Sequence, residues 1–129
     1  MTESPFDFEG GLLVVDAWIH GPIGHAPLRL AIDTAATLTL VTPEIVERIG
    51  YSARDGERSS VSSAIGTEYG YRVRVERLSS LEQEVPDLLV NVFDLPDRAG
   101  IDGLLGLNFL SRFDIELRFS TGLICAERI

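Results

Sequence analysis

The residues most able to do chemistry stand in the run Leu30-Ala31-Ile32-Asp33-Thr34-Ala35-Ala36-Thr37. An apolar extended stretch ends in a carboxylate, and the residues after it are too small to cover it. Such an aspartate can sit open in a cleft and act as a general acid or base on a bound water. The same residue can also be a simple turn former at a strand end. A second segment, Ile101-Asp102-Gly103-Leu104-Leu105-Gly106-Leu107-Asn108-Phe109-Leu110, supplies another aspartate in an apolar, glycine-bearing setting.

Other chemistries have little to work with. All eleven basic residues are arginines, so there is no lysine for Schiff-base or P-loop chemistry. Cys125 is the only cysteine, which excludes an intramolecular disulfide and a thiolate metal cluster, and its place on a late strand predicts an inert core thiol. His20 and His25 flank the turn His20-Gly-Pro-Ile-Gly-His25 without a third ligand nearby, so they read as a solvated hairpin. No metal and no cofactor are expected. The net charge of −9 repels nucleic-acid phosphates and anionic headgroups, which argues against both as partners.

The elements that must position these residues are mostly strands. Leu12 to Ile19 is apolar and β-rich, Gly21, Pro22 and Gly24 turn the chain, and Leu28 to Ile32 returns it to deliver Asp33. Thr42-Pro43-Glu44 opens a short helix through Ile49, with Thr42 as N-cap, Pro43 at its first position and Gly50 beyond its end. Ser59 to Ala64 and Thr67 to Leu78 flank Ile65-Gly66 as a long hairpin with a polar, small-residue tip. Tyr69, Tyr71, Val73 and Val75 alternate along one face of its second arm. Val85 to Phe93 is a further strand, Asp94 to Gly103 a loop, and Leu107 to Phe113 a short helix. Asp114 to Phe119 alternates with Ile115, Leu117 and Phe119 inward, and Leu123 to about Glu127 closes the chain. At 129 residues this is one domain, mostly β, a barrel or sandwich with one or two short helices. Residues 1–10 are acidic, show no secretory pattern and are expected to be flexible, with 11–129 forming the domain and a cytoplasmic location as the best fit.

Asp33-Thr34-Ala35-Ala36-Thr37 resembles the D-T-G-A-S/T signature of bacterial-type retropepsin-like aspartic proteases. Ile101 to Leu110 is similar to that family's apolar-apolar-Gly segment and the short helix after it. The resemblance runs from about Val14 to Arg128, with the hairpin around Gly66 standing where the family's flap would be. It implies a closed acid-protease β-barrel and an endopeptidase acting on peptide or unfolded protein. Its two carboxylates share one proton, since like charges roughly 3 Å apart cannot both ionise. One domain of this length supplies only one such aspartate, because Asp102 belongs to the segment that supports the catalytic loop. The resemblance therefore implies a homodimer with Asp33 from each subunit. It implies loop support and dimer contact for Thr34 and Ala35, and substrate contact for Ala36, Thr37, Ile65, Gly66 and Leu104. Leu105 and Gly106 would back the site.

Two departures carry information. Ala35 stands where the family has glycine: if that position needs positive φ, the cost is on the order of 1 kcal/mol, and otherwise the methyl narrows the cleft. This leaves a second reading open, a catalytically weak or inactive dimer that binds peptides or serves only to dimerise. Thr37 and Leu107 replace, together, an Asp and an Arg that pair in retroviral members, a double change that leaves no buried charge unpaired.

Overall fold

The computed structural model describes residues 1–63, 66–95 and 100–129. The chain runs β1 (Thr2–Pro5), β2 (Asp7–Glu9), β3 (Leu12–Gly21), β4 (Gly24–Ile32), β5 (Thr39–Val41) and α1 (Pro43–Arg48). A 3₁₀ turn (Ala53–Asp55) leads to β6 (Glu57–Ser63), β7 (Gly66–Ser80), β8 (Gln83–Val92), β9 (Gly103–Leu105), α2 (Leu107–Leu110), β10 (Phe113–Arg118) and β11 (Leu123–Arg128). No described helix is long and apolar enough to cross a membrane.

Six strands close into a barrel in the order β3-β4-β9-β5-β8-β7, with β7 returning to β3 through Ala17↔Ser80 to His20↔Arg77. The alternation legible in the sequence is what fills it: Val15, Ala17 and Ile19 of β3, Leu28 and Leu30 of β4, and Val73, Val75 and Leu78 of β7 all point into one core. Phe109, Leu110 and Phe113 extend that core from α2 to the start of β10. Cys125 is buried on β11, as expected.

The short helix α1 starts where Pro43 favours it and buries Ile45 and Val46. Thr42 does occupy the N-cap, but its side chain makes no capping bond. Its amide is held instead by the carbonyl of Asp102 at 3.1 Å. β7 is longer than its barrel partners. Its pairing with β8 starts at Tyr71, so residues before it pair only with β6, from Ser59↔Gly70 to Ser63↔Gly66, and form an arm that leaves the barrel. Tyr69, on that arm, is 81% exposed and does not join the buried face that Val73 and Val75 continue.

Three expectations change. Residues 1–10 are not a loose segment: Thr2–Pro5 pairs with Ala126–Leu123, Asp7–Glu9 pairs with Val14–Leu12, and the Phe6 amide donates to the Gly122 carbonyl at 3.0 Å. Ladder hydrogen bonds do not depend on side-chain charge, and Arg29 lies within 2.9–3.3 Å of Asp7 and Glu9 to offset their carboxylates. The helix at Leu107 stops at Leu110, because Phe113 is already drawn into a strand against Arg128. On that strand Phe113 is buried and Ile115 half-buried, but Leu117 is 39% exposed, and Phe119, in the turn just past the strand, is 60% exposed rather than inward. The apolar face of β10 outruns the core of its own chain.

Candidate active site

Asp33 follows β4 directly, and β9 lies beside β4 in parallel, with Leu30↔Gly103, Ala31↔Leu104 and Ile32↔Leu105 in register. The Asp33 amide continues that ladder by donating to the Leu105 carbonyl at 3.0 Å. The chain then turns: the Ala36 amide donates to the Asp33 carbonyl at 3.2 Å, and the Ala35 amide to Asp33 Oδ1 at 2.9 Å. The carboxylate is thereby held over its own loop and stays half-exposed, which answers the requirement that small neighbours leave it open.

The loop is fastened from below by α2. The Leu107 amide donates to the Ala36 carbonyl at 2.8 Å and the Asn108 amide to the Thr37 carbonyl at 3.1 Å, so Asp33 to Thr37 is tied at both ends to the Gly103–Leu110 segment. Thr34, Ala35 and Thr37 are exposed, while Ala36 and Leu104 are half-buried at the loop base. Leu105 is fully buried. Thr37 and Leu107 both reach solvent, so this spot needs no buried ion pair.

Close approach explains the two glycines. A Cβ on Gly103 would stand 1.9 Å from the Leu40 carbonyl oxygen, and one on Gly106 would stand 2.7 to 2.8 Å from backbone atoms of Leu38 and Thr39. Only hydrogen fits there. Ala35 has no such problem: it is absent from the three non-glycine residues with positive φ, which are Leu81, Glu82 and Asp87. Its methyl therefore sits on an unstrained backbone.

Two residues that sequence reasoning missed lock the arrangement. Thr39 is fully buried, and its hydroxyl donates to Asn108 Oδ1 at 2.9 Å while accepting the Gly106 amide at 3.1 Å. Asn108 Oδ1 also accepts the Thr39 amide at 2.9 Å, and its Nδ2 donates to the Leu89 carbonyl at 2.6 Å. One signal for them was available, namely a polar residue set among apolar ones on each of the two segments that flank Asp33.

Asp102 has a different task. Its Oδ2 accepts the Arg29 amide at 2.8 Å and its own amide donates to the Arg29 carbonyl at 2.7 Å, so it clamps β4 to the start of β9. Arg29 lies four residues before Asp33 along an extended strand, a span of roughly 13 Å at about 3.3 Å per residue. Asp102 is thus far from any dyad with Asp33 of the same chain. The Arg29 guanidinium meets Asp7, Glu9 and Asp16 at 2.9, 3.3 and 3.2 Å, and its hydrogen bond to Asp7 leads in raising its pKa.

The arm formed by β6 and the start of β7 carries Gly66 at its end, paired with Ser63. Ile65, expected beside it as a substrate contact, lies outside the described residues. Among the described residues no group of three or more His, Cys, Asp or Glu side chains is arranged to hold a metal ion.

A family model described as aspartyl protease matches residues 15–109, from the barrel core through Asp33 to α2. The chain belongs to the aspartyl protease family. No curated protein sequence matches significantly. Among solved structures, this aspartyl protease is similar to a retropepsin-like aspartic protease from Rickettsia conorii, with a TM-score of 0.67 and 15% identity over 96% of this chain and 87% of that one. It is also similar to the EIAV protease complexed with the inhibitor HBY-793, at a TM-score of 0.60 and 17% identity over 80% of this chain and 88% of that one. The fold is the retropepsin-like β-barrel.

Proposed function

We propose that this aspartyl protease is a homodimeric endopeptidase whose active site is assembled from Asp33 of two subunits. The observation that carries the reading is the half-open Asp33 carboxylate, fixed by the Leu105, Ala35 and Ala36 backbone on a loop tied to α2, with the other aspartate of the motif region, Asp102, committed to clamping Arg29. One subunit offers one carboxylate, and general acid-base hydrolysis without a side-chain nucleophile needs two.

In the dimer the two carboxylates share a proton. The ionised Asp33 takes a proton from water as the water attacks the scissile carbonyl carbon, while the protonated one donates to the carbonyl oxygen. Proton transfer to the leaving nitrogen then breaks the C–N bond and restores the pair. Thr34 and Ala35 face the partner subunit, Ala36, Thr37 and Leu104 line the cleft, and the arm ending at Gly66 closes over an extended peptide. Leu105 and Gly106 hold the floor.

The test is Asp33→Asn. The substituted side chain keeps an Oδ1 acceptor for the Ala35 amide, so fold and dimer should survive while cleavage of unfolded protein is lost. Cleavage undiminished in that variant would reject the mechanism, whereas wild-type protein that binds extended peptides without cutting them would favour the peptide-binding dimer, the reading that the alanine at position 35 leaves open.

A further inference from the structure

We propose that a cavity at the root of the arm binds a phosphoryl group, gripped by Arg54, Arg72 and Arg74. The site stands apart from the Asp33 chemistry and holds whether or not that carboxylate cleaves peptides.

The cavity measures about 500 Å³ and lies where the 3₁₀ turn Ala53–Asp55 meets β7. Val73 and Val75 point into the core, so Arg72 and Arg74, which alternate with them, stand on the outer face of the sheet. Leu89 lies across from Arg74 in the β7–β8 ladder and lines the same cavity. Tyr51 lines it too, and its Oη accepts the Glu76 amide of β7 at 3.0 Å. Close approach seats the turn: a Cβ on Gly56 would stand 2.0 Å from the Arg72 carbonyl oxygen. Only glycine lets the turn that carries Arg54 close on the strand that carries Arg72.

The positive charge gathered there is unmatched. In a chain with twenty acidic residues and eleven arginines, an arginine that serves only the fold readily finds a carboxylate. The ion pairs among the described residues use Arg29, Arg77 and Arg118, and none uses the three arginines of this cavity. Glu57 stands opposite Arg72 in the β6–β7 ladder without pairing with it, and Asp55, also on the wall, turns Oδ2 to the Ser52 amide at 2.7 Å. Arg74 donates from Nη1 to the Asp87 carbonyl at 3.1 Å, which orients the guanidinium without neutralising it. Arg72 Nε is buried and has no acceptor. An unpaired buried donor is a standing cost, and a ligand toward which the guanidinium turns removes it.

The chemistry of the lining selects the ligand. Guanidinium forks match the oxygens of carboxylates and phosphates. Two carboxylates already border this cavity, so a single negative charge gains little from three positive ones. A phosphoryl group brings nearly two negative charges and three acceptor oxygens. Tyr51 and Leu89 add an apolar wall against which a small organic body can rest, and the volume is that of a small-molecule site. Once bound, the group ties the turn before β6 to β7, across the base from which the arm rises.

Arginine Nε–H resonances followed by NMR at constant ionic strength test this with inorganic phosphate, phenyl phosphate and benzoate as probes. The expected result is saturable shifts of the Arg54, Arg72 and Arg74 signals with either phosphate, and a Kd at least about tenfold weaker for benzoate. Equal Kd values for the two phosphates assign the site to free phosphate, and a tighter one for phenyl phosphate assigns it to an organic phosphate. Arg72→Gln and Arg54→Gln should each raise the Kd roughly tenfold or more, while Arg112→Gln, at an exposed arginine outside the cavity, should leave it unchanged. Arg54 is exposed on a turn, so Arg54→Gln decides the matter if Arg72→Gln impairs folding. Shifts that never saturate or that move every arginine alike would reveal mere screening and overturn the proposal. Benzoate binding as tightly as phenyl phosphate, or a Kd that Arg112→Gln raises as much as Arg54→Gln does, would overturn it as well.

Discussion

Asn108 Oδ1 accepts both the amide and the hydroxyl of Thr39, each at 2.9 Å, across 69 residues of sequence. The pair binds the start of β5 to α2, and so to the two amides that hold the Asp33 loop. Thr39→Val keeps shape and branching but removes one donor and the acceptor of the Gly106 amide, in a place with no access to water. Leaving buried polar groups unpaired costs about 1–3 kcal/mol. Urea denaturation should show a loss in that range for Thr39→Val and a clearly smaller one for Thr39→Ser, which keeps the hydroxyl. Equal losses would mean that packing of the methyl, not the hydrogen bonds, holds the loop.

Ala35 gives a second expectation. Its backbone lies outside the left-handed region, so glycine relieves no strain there and only loosens the unfolded chain. Ala35→Gly should lower stability by about 0.4–1 kcal/mol. Cleavage of unfolded protein should persist, since Asp33 Oδ1 still receives the amide of residue 35. A gain in stability on thermal melting would show that the loop adopts positive φ in solution.

The parts of this fold legible in the sequence are those set by short-range patterning. Alternation marks β3, β4, β7 and β8, Pro43 and Gly50 bracket α1, and Asp33 with Gly103 to Gly106 marks the candidate site. What stayed hidden depends on partners distant in sequence. Nothing local to Thr39 points to Asn108, and nothing local to Asp7 or Glu9 points to Arg29, whose guanidinium helps to make a paired strand out of a stretch that reads as loose and acidic. Alternation also tells which side of a strand is apolar without telling what covers it. Leu117 and Phe119 are legible as a face, yet within the chain they stay 39% and 60% exposed. Ala35 could be read from sequence in two ways, and its backbone angle decides for the unstrained one.

His20 supplies the pH dependence. It pairs across the β3–β4 hairpin with His25, the rings 5.5 Å apart, and Arg77 Nη2 stands 3.4 Å from its Nδ1. Partial burial, then the Arg77 charge and His25, lower its pKa below the ordinary 6.5, against a weaker opposing pull from Glu84 and Glu76. A histidine whose folded pKa is depressed binds fewer protons folded than unfolded. Its contribution to stability is therefore complete above 6.5 and lost as pH falls through the folded value. Denaturation midpoints of the wild type should fall as pH drops below 6.5, and His20→Asn should flatten part of that fall. Arg77→Gln removes a neighbouring positive charge and should move the His20 imidazole resonances, followed by NMR, to titrate at higher pH. An unchanged titration in Arg77→Gln would show that the guanidinium does not act on the ring, and burial with His25 would then have to account for the lowering.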